Sequence, residues 1–217
     1  MAPPALTPPA RTVGQLAARA VFGLGLLYAV TTAWGLLALQ SAQDPIGDPF
    51  FTLMELLTIA IALGMVATLA AVHAYARPEA QVYSLMALIF MALMAGLTCS
   101  VHFTILTVGR AIAAAGLPTA GLLFSFRWPS VAYALDILAW DGFFALAMFC
   151  AAPVFHGSRL ERAVRVLLVV SGGLSLLGLV GVPLGNMQVR LVGVVGYAVV
   201  APVAFLLLGQ VLGRAQG

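Results

Sequence analysis

Six apolar runs divide this chain, each close to the length that crosses a bilayer: about 20–40, 51–75, 82–109, 129–154, 166–184 and 191–212. A hydrocarbon core of ~30 Å takes about 20 residues of helix. Backbone inside lipid must also satisfy its own hydrogen bonds, which a helix does. The runs therefore predict an all-α, polytopic transmembrane helix bundle of six helices with short connections. Composition agrees, since 63% of the residues are hydrophobic and 8% are charged, against about 25% charged in soluble domains.

The first run follows Arg11 and Arg19, as a signal peptide would. Its uncharged stretch, Ala20 to Leu39, is longer than the usual h-region of about 7–15 residues, and no A-x-A site follows it, so it reads as a helix. Residues 1–10, MAPPALTPPA, are Pro-rich and read as an extended or disordered tail. The expected organisation is a Pro-rich cytoplasmic tail and helix lead-in over 1–19, then one six-helix domain over 20–217.

Arginines set the expected orientation. Counted over alternate loops, Arg11, Arg19, Arg77, Arg159, Arg162, Arg165 and Arg214 fall on one side, and Arg110, Arg127 and Arg190 on the other. The side richer in arginine faces the cytoplasm, which puts both termini there, in a bacterial plasma membrane. The segment AAAGLPTAGLLFSFRWPS then faces outward as a short interfacial helix or lid, with Phe124, Phe126 and Trp128 near headgroup level.

Several function classes are excluded. All ten basic residues are arginine, so no lysine is present to form the Schiff base that retinal or related chemistry requires. A formal charge of +3 dispersed along the chain gives no basic face for nucleic acid. Cys99 and Cys150 lie inside apolar runs and read as small buried hydrophobes, with no disulfide implied.

An ionisable side chain within a span costs at least ~2.5 kcal/mol on insertion scales unless a partner or water reaches it, so each is a candidate for function. Glu55 falls about one turn inside the second helix, His102 about two turns below the outer end of the third, and Asp136 and Asp141 about two and three turns inside the fourth. All four share the outer half of the bilayer although their helices run in both directions. They form the expected acid/base cluster. Thr58, Thr98, Tyr133, Trp140 and Phe144 are the expected ligand-binding residues around it.

Asp136 and Asp141 are five residues apart, about 140° around an α-helix, which predicts that they do not share one narrow contact. A polar clasp in which Arg110, Arg127 or Arg190 pairs with Glu55 or an aspartate is the alternative account of the same residues. His73, beside Tyr75 and Arg77, reads as an interfacial anchor, and its depth keeps it from sharing a haem with His102. Met65, Met91, Met94, Cys99 and His102 read as ordinary core, and no HxxxH or HExxH spacing marks a metal site. Ser100 and His102, two apart on one helix, point away from each other, which rules out a hydrolase triad with Asp136. On the fifth helix Ser171, Ser175 and Gly178 form a small-residue stripe, and Gly193 and Gly196 supply its counterpart on the sixth.

Three functions remain. The first is an enzyme or binding protein for a lipophilic small molecule, using isomerase- or cyclase-type acid–base chemistry. The second is a small proton-coupled transporter, and the third a noncatalytic membrane subunit or assembly factor. The segment FTLMELLTIAI is similar to the glutamate-bearing helix of emopamil-binding sterol isomerases, but the helix plan around it differs and no family follows from it. No cofactor follows from the sequence. The expected partners are membrane lipid, a lipophilic small molecule, and a second copy or a membrane partner subunit.

Overall fold

In this computed structural model, which describes residues 6–41 and 44–214, helix α1 (Pro8–Leu37) begins on a proline. Proline is tolerated there because the first N–H groups of a helix have no partner within it. The helical part of the chain thus starts about a dozen residues before the apolar run, and Pro8 to Ala10 belong to it rather than to the expected tail; residues 1–5 lie outside the description. Five further helices follow: α2 (Phe50–Tyr75), α3 (Pro78–Ala114), α4 (Val131–Val154), α5 (Arg159–Leu179) and α6 (Met187–Arg214). All six are long and apolar enough to cross a membrane, and no strand occurs among the described residues. This is an all-α helix bundle with the composition of a multi-pass membrane protein.

Local chemistry sets the starts of the later helices. Ser158 caps α5, accepting from the Glu161 N–H at 3.2 Å, while the Glu161 carboxylate accepts from the Ser158 N–H at 2.6 Å. This reciprocal cap starts α5 before its apolar run and carries Arg159, Arg162 and Arg165 into its first turns. Ser130 caps α4 through the Tyr133 N–H, and Asn186 caps α6 through the Gln188 N–H. The last turns of α5 stop at Leu179, before Pro183.

The helices form a closed ring in chain order, each packed on the next, with α6 returning to α1. Phe144, Met148, Phe155, Met65, Leu69, Met91, Met94, Phe205 and Leu208 fill its interior. Many large apolar side chains point outward, Leu37, Leu63, Phe103, Leu122 and Val166 among them. An exposed apolar surface of that extent suits lipid, not water. Helices α5 and α6 approach most closely at the small residues: a Cβ on Gly178 would lie 2.7 Å from the Cα of Gly193. Nearby, the Ser171 hydroxyl donates to the Gly196 carbonyl at 2.9 Å.

Three helices contain a wide π-helical turn: Ile105–Gly109 in α3, Leu138–Phe143 in α4 and Gly196–Val200 in α6. Such turns accommodate one extra residue and shift the face that follows. The segment joining α3 to α4 holds a short helix, Ala120–Leu123, after which Phe124 and Phe126 pack on Val101, Ile105 and Ala132.

Candidate functional site: a buried acid–histidine–arginine chain

The end of the bundle where α2, α4 and α6 begin, and toward which α3 runs, gathers Glu55, His102, Asp136, Asp141 and Arg190. Glu55 sits five residues into α2, Asp136 five into α4 and Arg190 three into α6, roughly 5–8 Å along each helix. His102 meets them from α3. Glu55, His102, Asp136, Asp141 and Arg190 are all buried.

The groups form a continuous chain. His102 Nδ1 lies 2.8 Å from Glu55 Oε2, and its Nε2 lies 3.5 Å from Asp136 Oδ1. An ionised carboxylate only accepts, so Nδ1–H donates to Glu55, and this bond fixes the ring and leaves Nε2 facing Asp136. At 3.5 Å that second contact is longer than a charge-assisted hydrogen bond, and Nε2 has no hydrogen-bond partner among the described residues. On its other side, Asp136 accepts through Oδ2 from Arg190 Nη2 at 3.4 Å. Arg190 also donates from Nε to Asp141 Oδ2 and from Nη1 to the Tyr133 hydroxyl, each at 3.0 Å. Its guanidinium carbon stands 4.7 Å from the centre of the Tyr133 ring, a cation–π contact.

The structure thus brings Glu55, His102, Asp136, Asp141 and Tyr133 together, and it corrects the expectation that the two aspartates diverge. Both accept from Arg190. The wide turn over Leu138–Phe143 takes up one residue between them, so Asp141 occupies the place that a residue four positions after Asp136 would hold in an uninterrupted α-helix. Trp140 and Phe144 pack instead with Tyr197, at ring separations of 5.2 and 6.4 Å, as an aromatic group inside the bundle. Thr58 and Thr98 turn their hydroxyls to their own helices, toward the Met54 carbonyl and the Met94 sulfur.

Of the arginines named as clasp partners, Arg190 alone bonds to these acids among the described pairs. Arg110 reaches outward to both oxygens of Asp48 at 2.8 Å and to the Thr52 hydroxyl at 2.5 Å. Hydrogen bonding from Thr52, then the Arg110 guanidinium, holds the Asp48 carboxyl below its ordinary value. His73 Nδ1 pairs with the Ser84 hydroxyl at 2.8 Å, at the far end of the bundle.

Two residues of the site have a larger part than was legible in the sequence, where Arg190 reads as one of three clasp partners and Phe126 as an interfacial residue. Arg190 stands at the edge of an apolar run, where it reads as a loop charge, and only its position four residues after the capping Asn186 hints that it lies inside the helix. Phe126 comes from the segment between α3 and α4, and its ring covers His102 at 5.3 Å and meets Tyr133 edge-on at 6.2 Å. Two pockets of the described surface lie away from the chain of acids, at the α1–α2 connection beside Leu39 and Gln40.

No known protein family, curated protein or solved structure matches this chain.

Proposed function

We propose that the protein binds a lipophilic small molecule beside Glu55, His102 and Asp136 and acts on it by acid–base chemistry. The observation that carries this reading is His102: its Nδ1 is committed to Glu55 at 2.8 Å, and its buried Nε2 has no hydrogen-bond partner among the described residues. A histidine so oriented presents one nitrogen ready to take or give a proton. Asp136, 3.5 Å away, is the partner for that proton, and Arg190 orients Asp136. Phe126 and Tyr133 supply the apolar walls a lipophilic ligand needs.

The arginine bias supports a placement with both termini in the cytoplasm and the site in the outer half of the plasma membrane. Arg190 is buried against acids, so the exposed contrast is sharper than the raw count.

The test is mass spectrometry of small molecules that co-purify with gently solubilised protein, comparing wild type with His102→Gln and Asp136→Asn variants that remain folded. A stoichiometric lipophilic species present in wild type and lost from both variants is the expected result. A second reading, a noncatalytic polar clasp, is favoured by Asp141, which is fully buried with Oδ1 against Gly193. Wild type that retains nothing, with variants that lose only stability or a partner subunit, establishes the clasp instead.

A further inference from the structure

The charges of the buried chain do not balance. When all three are ionised, Glu55, Asp136 and Asp141 stand against the single guanidinium of Arg190, an excess of two negative charges in a low-dielectric interior. Burying uncompensated charge is costly. His102, with its one proton on Nδ1, offsets none of it. That excess meets no further cation among the described contacts of the chain.

Geometry places that charge at Asp136. Asp141 gives Oδ2 to Arg190, and its Oδ1, also without a hydrogen-bond partner among the described residues, is closed off against Gly193. Glu55 is spent on His102 Nδ1. Asp136 is the most exposed of the three carboxylates, and its bond to Arg190 uses Oδ2, which leaves Oδ1 turned toward His102 Nε2. Two polar atoms 3.5 Å apart, one of them a buried nitrogen without a hydrogen bond, want a donor between them. The ring of Phe126 lies against His102, an aromatic surface that favours a cation over a neutral polar group, while the Tyr133 ring already faces the guanidinium of Arg190.

From the charge count and this juxtaposition we infer that the ligand carries a protonated amine, which donates to Asp136 Oδ1 beside His102 Nε2 while its apolar part extends past Phe126 into the lipid. This rests on the reading that the chain of acids is a ligand site, and it narrows the class from lipophiles in general to lipophilic amines. Nε2 then lies within reach of the ammonium proton, so one group both recognises the amine and exchanges a proton with it.

The test measures binding of dodecylamine, dodecanol and dodecyltrimethylammonium to the full chain in lipid nanodiscs, with uptake by protein-free nanodiscs subtracted. Dodecylamine is expected to bind about tenfold more tightly than dodecanol, a difference of ~1.4 kcal/mol. Asp136→Asn is expected to erase that preference, and Asp136→Glu, which keeps the charge, to retain it. Dodecyltrimethylammonium, charged but without N–H, falls between them. Equal binding of amine and alcohol, unchanged by Asp136→Asn, overturns the amine while leaving a lipophile site. Absence of saturable binding by any probe overturns both.

Discussion

Arg190 donates from Nε to one oxygen of Asp141 at 3.0 Å, and the other oxygen of the same carboxylate rests against Gly193, one helical turn further along the helix that carries Arg190. The aspartate is gripped by one helix at two consecutive points. A Cβ at Gly193 would drive into Asp141 Oδ1. Gly193→Ala should therefore destabilise the protein by about 1–3 kcal/mol, read as a lowered thermal midpoint in detergent. Gly173→Ala, at a position where a Cβ meets nothing within 4 Å, is the matched control and should leave the midpoint unchanged or raised.

Removing the cation strands two acids. Arg190→Met leaves Asp136 and Asp141 buried without their guanidinium, a change that costs about 3–5 kcal/mol for a buried pair. Adding Asp141→Asn to that variant should restore part of the loss, because a neutral amide is cheaper to bury than a bare carboxylate. If the double variant is no more stable than the single, the charge of Asp141 is not the source of the penalty.

At the opposite end, Tyr75 on α2 donates to Glu161 Oε1 on α5 at 2.6 Å, and the same carboxylate caps α5 through the Ser158 N–H. Tyr75→Phe should cost about 1.5–3 kcal/mol, the range for a hydrogen bond to a charged group. Glu161→Gln should weaken the cap as well and cost more than Tyr75→Phe in the same unfolding experiment.

Asp48 carries the pH dependence of the exposed end. Its carboxyl is held below the ordinary value of 3.8, first by the Thr52 hydroxyl and then by Arg110. A depressed value means that the carboxylate stabilises the folded state fully above that ordinary value, and that this contribution is lost as pH falls through the lowered one. The pair is solvent-exposed, so the effect is small and screened by salt. Asp48→Asn should leave the midpoint at neutral pH nearly unchanged, and the small difference from wild type should vanish in strong acid or at high ionic strength.

Sidedness has a direct readout. In a background with Cys99 and Cys150 replaced by alanine, Asp44→Cys should react with a membrane-impermeant maleimide on intact cells. His156→Cys, at an exposed position in the α4–α5 connection, should react only after the cells are opened. The reverse pattern places the termini outside.

The spans and the shared depth of Glu55, His102 and Asp136 were legible in the sequence because both depend only on residue polarity and a constant rise per residue. The pairing of Asp136 with Asp141 was not. A period of 3.6 residues separates them, and the wide turn at Leu138–Phe143 has no signature that polarity reveals. Arg190 was legible only as one of three clasp partners, because a charge at the edge of an apolar run reads as loop, while the Asn186 cap and two buried acids draw it inside. The early start of α5 depended on the Ser158–Glu161 cap, a local exchange of hydrogen bonds that hydropathy does not register.

The wide turn of α4 also puts the two halves of that helix out of phase. One residue of an α-helix subtends about 100° of azimuth, so absorbing an extra residue at Leu138–Phe143 rotates the later half by roughly that amount against a continuous helix. The earlier half turns Tyr133 and Asp136 toward His102 and Arg190, and the later half turns Phe144, Met148 and Ala151 into the interior. A single rod is thereby geared to mesh with different neighbours at its two ends.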